Sequence, residues 1–287
     1  MPVVTSTATC TAFRAVDETT GQVVTPHMLV ERVGFLAALA RAMSTGVVAA
    51  HWNDGDLGKL GSGVGPDGRT LPAKGWMALR RLGWHASSEG VYLSDRVRRV
   101  AEEAAARELR LAVHRRAVVQ AILTSWPADP RRRTNIEWAA LRRRLPTGTA
   151  TAEIRNRTRQ VRTFKTEHQG RLPACLTDLE HPPAANSVQA LLAAADKQFV
   201  TIDRSSPDTA LLRVQLPLIP HPAMRGDWAW HAIGFRLPGH APVDADLCVP
   251  TLRVIGDRVR VDLPWRIGFP TVPRVGHAVA LGLDWGV

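Results

Sequence analysis

The feature that most constrains this chain is a strand with no neighbour. Residues 5–17 (TSTATCTAFRAVD) are Thr-rich with apolar alternation, the signature of a half-buried strand. Asp17 to Gly21 forms a turn after it. Helical and loop patterns then fill the chain until strand patterns return at Phe199. A lone strand leaves backbone donors and acceptors unpaired along both edges. The order is thus one strand, a helical block, then a run of strands. Two organisations give that order. One is a β-unit interrupted by a helical insertion; the other is two sequential domains, with the first strand joining the second.

The helical block carries clear terminal signals. Thr25 and Pro26 make an N-cap and first-position pair. Leu29, Val33, Leu36, Ala40 and Met43 follow at helical spacing, and Gly46 is expected to close that helix. Residues 53–75, rich in Gly, Asp and Pro, read as a loop, and Trp76 to Trp84 as a short basic helix. Ser94 opens the longest helix, with Val97, Val100, Ala101, Ala104, Leu111, Val118 and Ile122 as its apolar face and Pro127 at its end. Thr134 to Glu137 is a capping box whose helix Pro146 stops. A polar helix spans Thr151 to Gln169, with Gly170 as its stop. Ser187 is expected to cap a short alanine-rich helix reaching Lys197.

Strands are expected at Phe199–Ile202, Ala210–Leu216, Trp228–Leu237, Leu247–Ile255 and Arg258–Leu263. Gly256 and Asp257 supply a tight hairpin turn between the last two. Trp228 and Trp230 fall on one strand face, where core or barrel packing is expected ahead of base stacking.

The 287 residues carry 37 basic and 26 acidic side chains, a formal net charge of +11. Only Lys59, Lys74, Lys165 and Lys197 are lysines. Between Arg80 and Arg171, 20 Arg and Lys165 meet nine carboxylates, a net of +12, while the remainder nets −1. A localised basic field is the footprint of a polyanion, usually nucleic acid. Nine carboxylates cannot pair 21 cations within that stretch. Arg131, Arg132 and Arg133 flank a helix start, and Arg142, Arg143 and Arg144 lie at the same helix's end. Arg155, Arg159 and Arg162 fall four and three residues apart, so they share a face. These nine are the candidate nucleic-acid contacts, since guanidinium matches phosphate in bidentate fashion.

Other motifs fail on context. Gly63 to Gly68 matches GxGxxG but follows a loop and contains Pro66, which argues against a dinucleotide site. No Walker A, GxSxG or HExxH sequence occurs, and the ten His residues are scattered. Asp54/Asp56 and Asp244/Asp246 read as turn formers rather than ligands. Cys10, Cys175 and Cys248 make neither a disulfide framework nor a CxxC zinc site, and a reduced cytosolic setting fits them. No apolar run reaches about 18 residues, so no membrane-spanning helix is expected. The first residues lack the basic and apolar regions of a signal peptide.

Residues 278–287 read AVALGLDWGV, an apolar strand running into Gly282, Leu283 and Asp284. A carboxylate at the end of a buried strand can be held for a metal ion. Ala280 to Val287 resembles the first RuvC motif of TnpB proteins, transposon-encoded RNA-guided DNA endonucleases related to type V CRISPR effectors. Pro250 to Trp265 resembles the strand pair leading into that motif. The layout is similar over the whole chain, whereas the motif-level resemblance begins only at Pro250.

That resemblance implies an α+β fold. A wedge-like β-barrel is expected from residues 1–22 and 198–272, interrupted by an Arg-rich helical recognition-like domain at 24–197. Residues 276–287 would be the first strand of a truncated RuvC-like nuclease of RNase H-like fold. Asp284 would be the first catalytic carboxylate and a Mg²⁺ ligand. The family's later Glu and Asp and its zinc ribbon have no counterpart here. The implied role is the nucleic-acid-binding half of a transposase-associated endonuclease, binding guide RNA and target DNA in the cytoplasm at the nucleoid. It is expected to be catalytically incomplete alone, with Mg²⁺ acting only if a C-terminal nuclease half is supplied, separately encoded or otherwise. Two other readings stay open on the residues. One is a free-standing basic DNA- or RNA-binding regulator; the other is an interaction protein whose basic helices meet an acidic partner.

Overall fold

The computed structural model describes residues 3–184 and 188–268. Those residues form an α+β fold of six α-helices and nine strands. The helices are α1 (Pro26–Ala50), α2 (Asp54–Ser62), α3 (Gly75–Arg81), α4 (Asp95–Thr124), α5 (Asn135–Arg142) and α6 (Thr151–Glu167). The strands before them are β1 (Val3–Asp17) and β2 (Val23–Val24). After them come β3 (Gln189–Leu191), β4 (Val200–Ser206), β5 (Thr209–Pro217), β6 (Trp228–Arg236), β7 (Asp246–Leu247), β8 (Thr251–Ile255) and β9 (Arg258–Gly268).

The lone N-terminal strand finds its partners late in the chain. The antiparallel order is β3-β8-β9-β1-β6-β5-β4, with β2 added to β1 and β7 to β9. Val3 to Thr11 pair with β9, and Ala12 to Asp17 pair with β6. The register shifts between Ala12 and Arg14, so Phe13 bulges where β1 passes from one partner to the other. A Cβ at Gly234 of β6 would come within 3.1 Å of the Phe13 ring. Glycine there lets the aromatic cover the backbone at the crossover. All six helices thus lie between two hydrogen-bonded parts of one sheet.

One continuous core joins helices to sheet. Helix α1 buries Leu29, Val33, Leu36, Ala37 and Ala40 and packs on α4, β3, β8 and β9. By length and composition α1 is long and apolar enough to cross a membrane, although Arg41 interrupts its apolar run. Its buried stripe is used inside the fold instead. Helix α3 approaches α4 so closely that a Cβ at Gly75 would lie 2.6 Å from the Ala106 side chain. A second, smaller core gathers Val118, Ala121 and Ile122 of α4, Leu141 of α5, and Ile154 and Val161 of α6.

Several expectations are corrected. Helix α1 continues through Gly46 to Ala50, because Val47 and Val48 beyond it are buried. The span 53–75 contains α2, capped by Asn53, whose side chain accepts from the Asp56 amide, and closed by Gly63 at φ 68°. Asp54 and Asp56 therefore sit in a helix's first turn, where its dipole favours them. The alanine-rich helix expected up to Lys197 does not form. Gln189–Leu191 pair with β8 instead, with Ala190 and Leu192 buried at strand spacing. Ser187 lies outside the described residues. The strand expected at Leu247–Ile255 is two strands, interrupted over residues 248–250, where Pro250 has no N–H to give. Helix α5 ends at Arg142, before Pro146.

His231 of β6 is fully buried, and its neighbours decide its proton. Arg32 of α1 donates to Nε2, so Nδ1 carries the hydrogen and donates to the Ala229 carbonyl at 3.0 Å. Burial pushes its pKa below the ordinary value, and the Arg32 charge adds to the shift; the Ala229 carbonyl and the Asp17 and Glu18 carboxylates oppose it. A depressed folded pKa gives stability that is complete above the unfolded value of about 6.5 and is lost as pH falls below it. The urea midpoint of the wild type is expected to fall steadily as pH is lowered from neutral through that value. His231→Gln keeps an acceptor for Arg32 without titrating, and its unfolding curve should lose that part of the pH dependence.

Candidate nucleic-acid interface

The arginines divide into two groups once their partners are known. Those on α3 and α4 are largely occupied. Arg80 pairs with Glu102 at 2.6 Å and Asp95 at 2.7 Å, and Arg99 pairs with Asp95 at 2.8 Å. Arg96 reaches Asp196 at 3.2 Å, and Arg116 makes a bidentate pair with Asp54 at 2.6 and 2.9 Å. Arg115 and Arg157 both approach Glu180. Asp54, Glu180 and Asp196 all lie outside the Arg80–Arg171 stretch. Counting carboxylates only within that stretch therefore overstated its unpaired charge.

The nine candidate contacts sit around the smaller core. None of them makes an ion pair with a carboxylate of the described residues. Arg131 and Arg132 are exposed in the turn before α5. Arg142, Arg143 and Arg144 are exposed at its C-terminal end, with Arg144 donating to the Ala140 carbonyl at 3.2 Å. Arg155 and Arg159 are exposed on α6 and Arg162 is half-buried, while Ile154, Arg157, Thr158 and Val161 face inward. The three share a helix face, as their spacing predicts.

Arg133 is different. It is half-buried and donates to the Ser125 carbonyl at 2.9 Å, tying the end of α4 to the start of α5. Burial pushes its pKa down. Its guanidinium lies 5.8 Å from the Trp138 ring centre, and Arg142 lies 5.9 Å from the same ring. These are cation–π contacts that help hold the lobe together. Arg133 is thus placed in the framework rather than on the surface with its neighbours.

A second surface was not anticipated. On β6, Ala229, His231, Ile233 and Phe235 face the core, so Trp228 and Trp230 stand half-buried on the opposite side of the sheet. Trp228 still packs against the edge of the main core, as expected, whereas Trp230 stands on the outer face without joining it. Pairing with β5 supplied the missing signal: Trp230 lies opposite Gln215, on the polar face of a strand whose Ala210, Leu212, Val214 and Leu216 point inward. Arg213 lies 5.5 Å from the Trp230 ring centre and is gripped by Glu18 through two bonds of 2.6 and 2.7 Å. The Trp228 indole N–H donates to the Tyr92 carbonyl at 3.2 Å. Beside these rings opens a cleft of about 780 Å³, within the usual range of ligand sites, whose far wall is the start of α4.

Asp284 lies outside the described residues. Among the described residues, no group of three or more His, Cys, Asp and Glu could hold a metal ion. Fold and surface together define an α+β protein with a cationic helical lobe and an aromatic-bearing sheet face. Comparison with protein-family models, with curated proteins and with solved structures finds no match.

Proposed function

We propose that this chain is the nucleic-acid-binding part of a TnpB-like, transposon-associated RNA-guided DNA endonuclease. In this reading the sheet is a wedge-like barrel, the helices are the recognition domain, and Asp284 belongs to the first strand of an RNase H-like nuclease. The protein works in the cytoplasm at the nucleoid. The single observation that carries the reading is the insertion of the Arg-rich helices between β1 and its partners β6 and β9. That is the interrupted-sheet layout of the family that the terminal motif resembles.

The Arg-rich lobe then grips the backbone and A-form shape of guide RNA and of the RNA–DNA duplex, leaving sequence to base pairing. Asp284 supplies one carboxylate, and a two-metal clamp needs more.

The test is to express the chain beside its native flanking DNA and sequence the RNA that copurifies. A discrete RNA ending at a transposon end is expected. Absence of a defined RNA, with binding to duplex DNA alone, overturns the reading in favour of a free-standing regulator.

A further inference from the structure

We infer that the cleft between the outer face of β5 and β6 and the start of α4 binds an unpaired nucleotide of a single-stranded nucleic acid. The base would stack on the Trp228–Trp230 face, and Arg225 would meet a phosphate. The inference does not depend on the RNA-guided reading, since it needs only a strand with an exposed base.

The chemistry of the walls points to this ligand. Two half-buried indoles line the cleft, Trp228 with part of its surface packed on the core, and every nucleobase has a π-face to lay on the part left open. Trp228 is held by its bond to the Tyr92 carbonyl and Trp230 by Arg213, so both rings are fixed before a base arrives. Gln215, opposite Trp230, and Gln198 line the same cleft, and side-chain amides match the mixed donors and acceptors of base edges. Arg225 is exposed in the cleft wall and has no carboxylate partner among the described residues. Asp95, in the same wall, would repel a phosphate if bare. It is paired with Arg80 and Arg99. Nearby Asp196 is likewise paired with Arg96 and Arg99. The cleft is therefore polar, aromatic and open to an anion.

The experiment compares labelled hexauridylate with an abasic strand of equal phosphate count, by fluorescence anisotropy on the full chain. The Arg clusters of α5 and α6 cannot tell these probes apart, whereas stacking can. Wild type is expected to bind hexauridylate about ten-fold more tightly than the abasic strand. Trp230→Ala should erase that ratio. Gln215→Ala, on the solvent side of β5, is the second variant should Trp230→Ala fail to fold, and should lower hexauridylate affinity alone, about three-fold. Hexathymidylate run in parallel distinguishes an RNA from a DNA source, and the same ratio in either supports the site. Charge reversal on α6 should weaken both probes and preserve their ratio, which separates this site from the helical lobe. Equal wild-type affinities, or a ratio that survives both substitutions, overturns the proposal.

Discussion

Reversing Arg155, Arg159 and Arg162 together to Glu is expected to lower RNA affinity by about 10²–10³-fold at 0.1 M salt. The magnitude follows from counterion release. Each phosphate neutralised adds about 0.7 to the logarithmic salt slope for a single strand and about 0.9 for a duplex. Losing three contacts flattens the slope by about two to three and costs roughly that many decades at 0.1 M. The three sit on one face of α6, with no carboxylate partner among the described residues, so their charge is available to a ligand. Arg155 and Arg159 are exposed, and the thermal unfolding of the triple variant should change little. The check is a salt titration of binding to a structured RNA. An unchanged slope and affinity would remove the α6 face from the interface. The same reversal at Arg80 or Arg116 would act on folding instead, since each is committed to internal carboxylates.

The largest expected effect on stability lies at one of those committed pairs. Glu102 of α4 is 1% exposed. One carboxylate oxygen accepts from Arg80 Nε at 2.6 Å and the other from the Ala86 amide at 3.3 Å. Arg80 also bridges to Asp95, which holds Arg99, and both guanidiniums lie over Trp76 at 5.2 and 4.5 Å. Glu102→Ala leaves Arg80 without its buried partner and the Ala86 N–H unpaired. Losing one member of a buried pair costs about 3–5 kcal/mol, and that is the expected loss in urea unfolding. Glu102→Gln keeps a hydrogen-bond acceptor and should cost about 1–3 kcal/mol. Replacing Arg80 and Glu102 together by Met should recover much of the loss, because the desolvation cost of both charges disappears. If Glu102→Ala were as stable as wild type, the network would be a surface feature and the α3–α4 junction would rest on packing alone.

Much of the local structure is legible in the residues. Thr25 does accept the Met28 amide at the start of α1, and the Thr134–Glu137 box is formed in both directions. Gly256 takes φ 60° in the turn between β8 and β9. These are short-range devices, so neighbouring residues suffice to reveal them. Where local reading failed, a distant partner had decided the outcome. Gln189–Leu191 is a strand because β8 offers an edge, against the helix propensity of Ala190 and Leu191. Gly46 sits within α1 because the core beyond it holds the next turn.

The sequence by itself determined the order of this protein's elements and the place of its charge: a strand before the helices, strands after them, and arginine gathered between. Tertiary structure alone decided what those features mean. It set β1 against both β9 and β6, a pairing that spans the whole helical block. It assigned Asp54, Glu180 and Asp196 to arginines of α4 and α6, while the arginines flanking α5 and Arg155, Arg159 and Arg162 of α6 have no carboxylate partner among the described residues. It also turned Trp228 and Trp230 outward. A period of two shows which residues share a strand face, but only packing on the other side shows which face is covered.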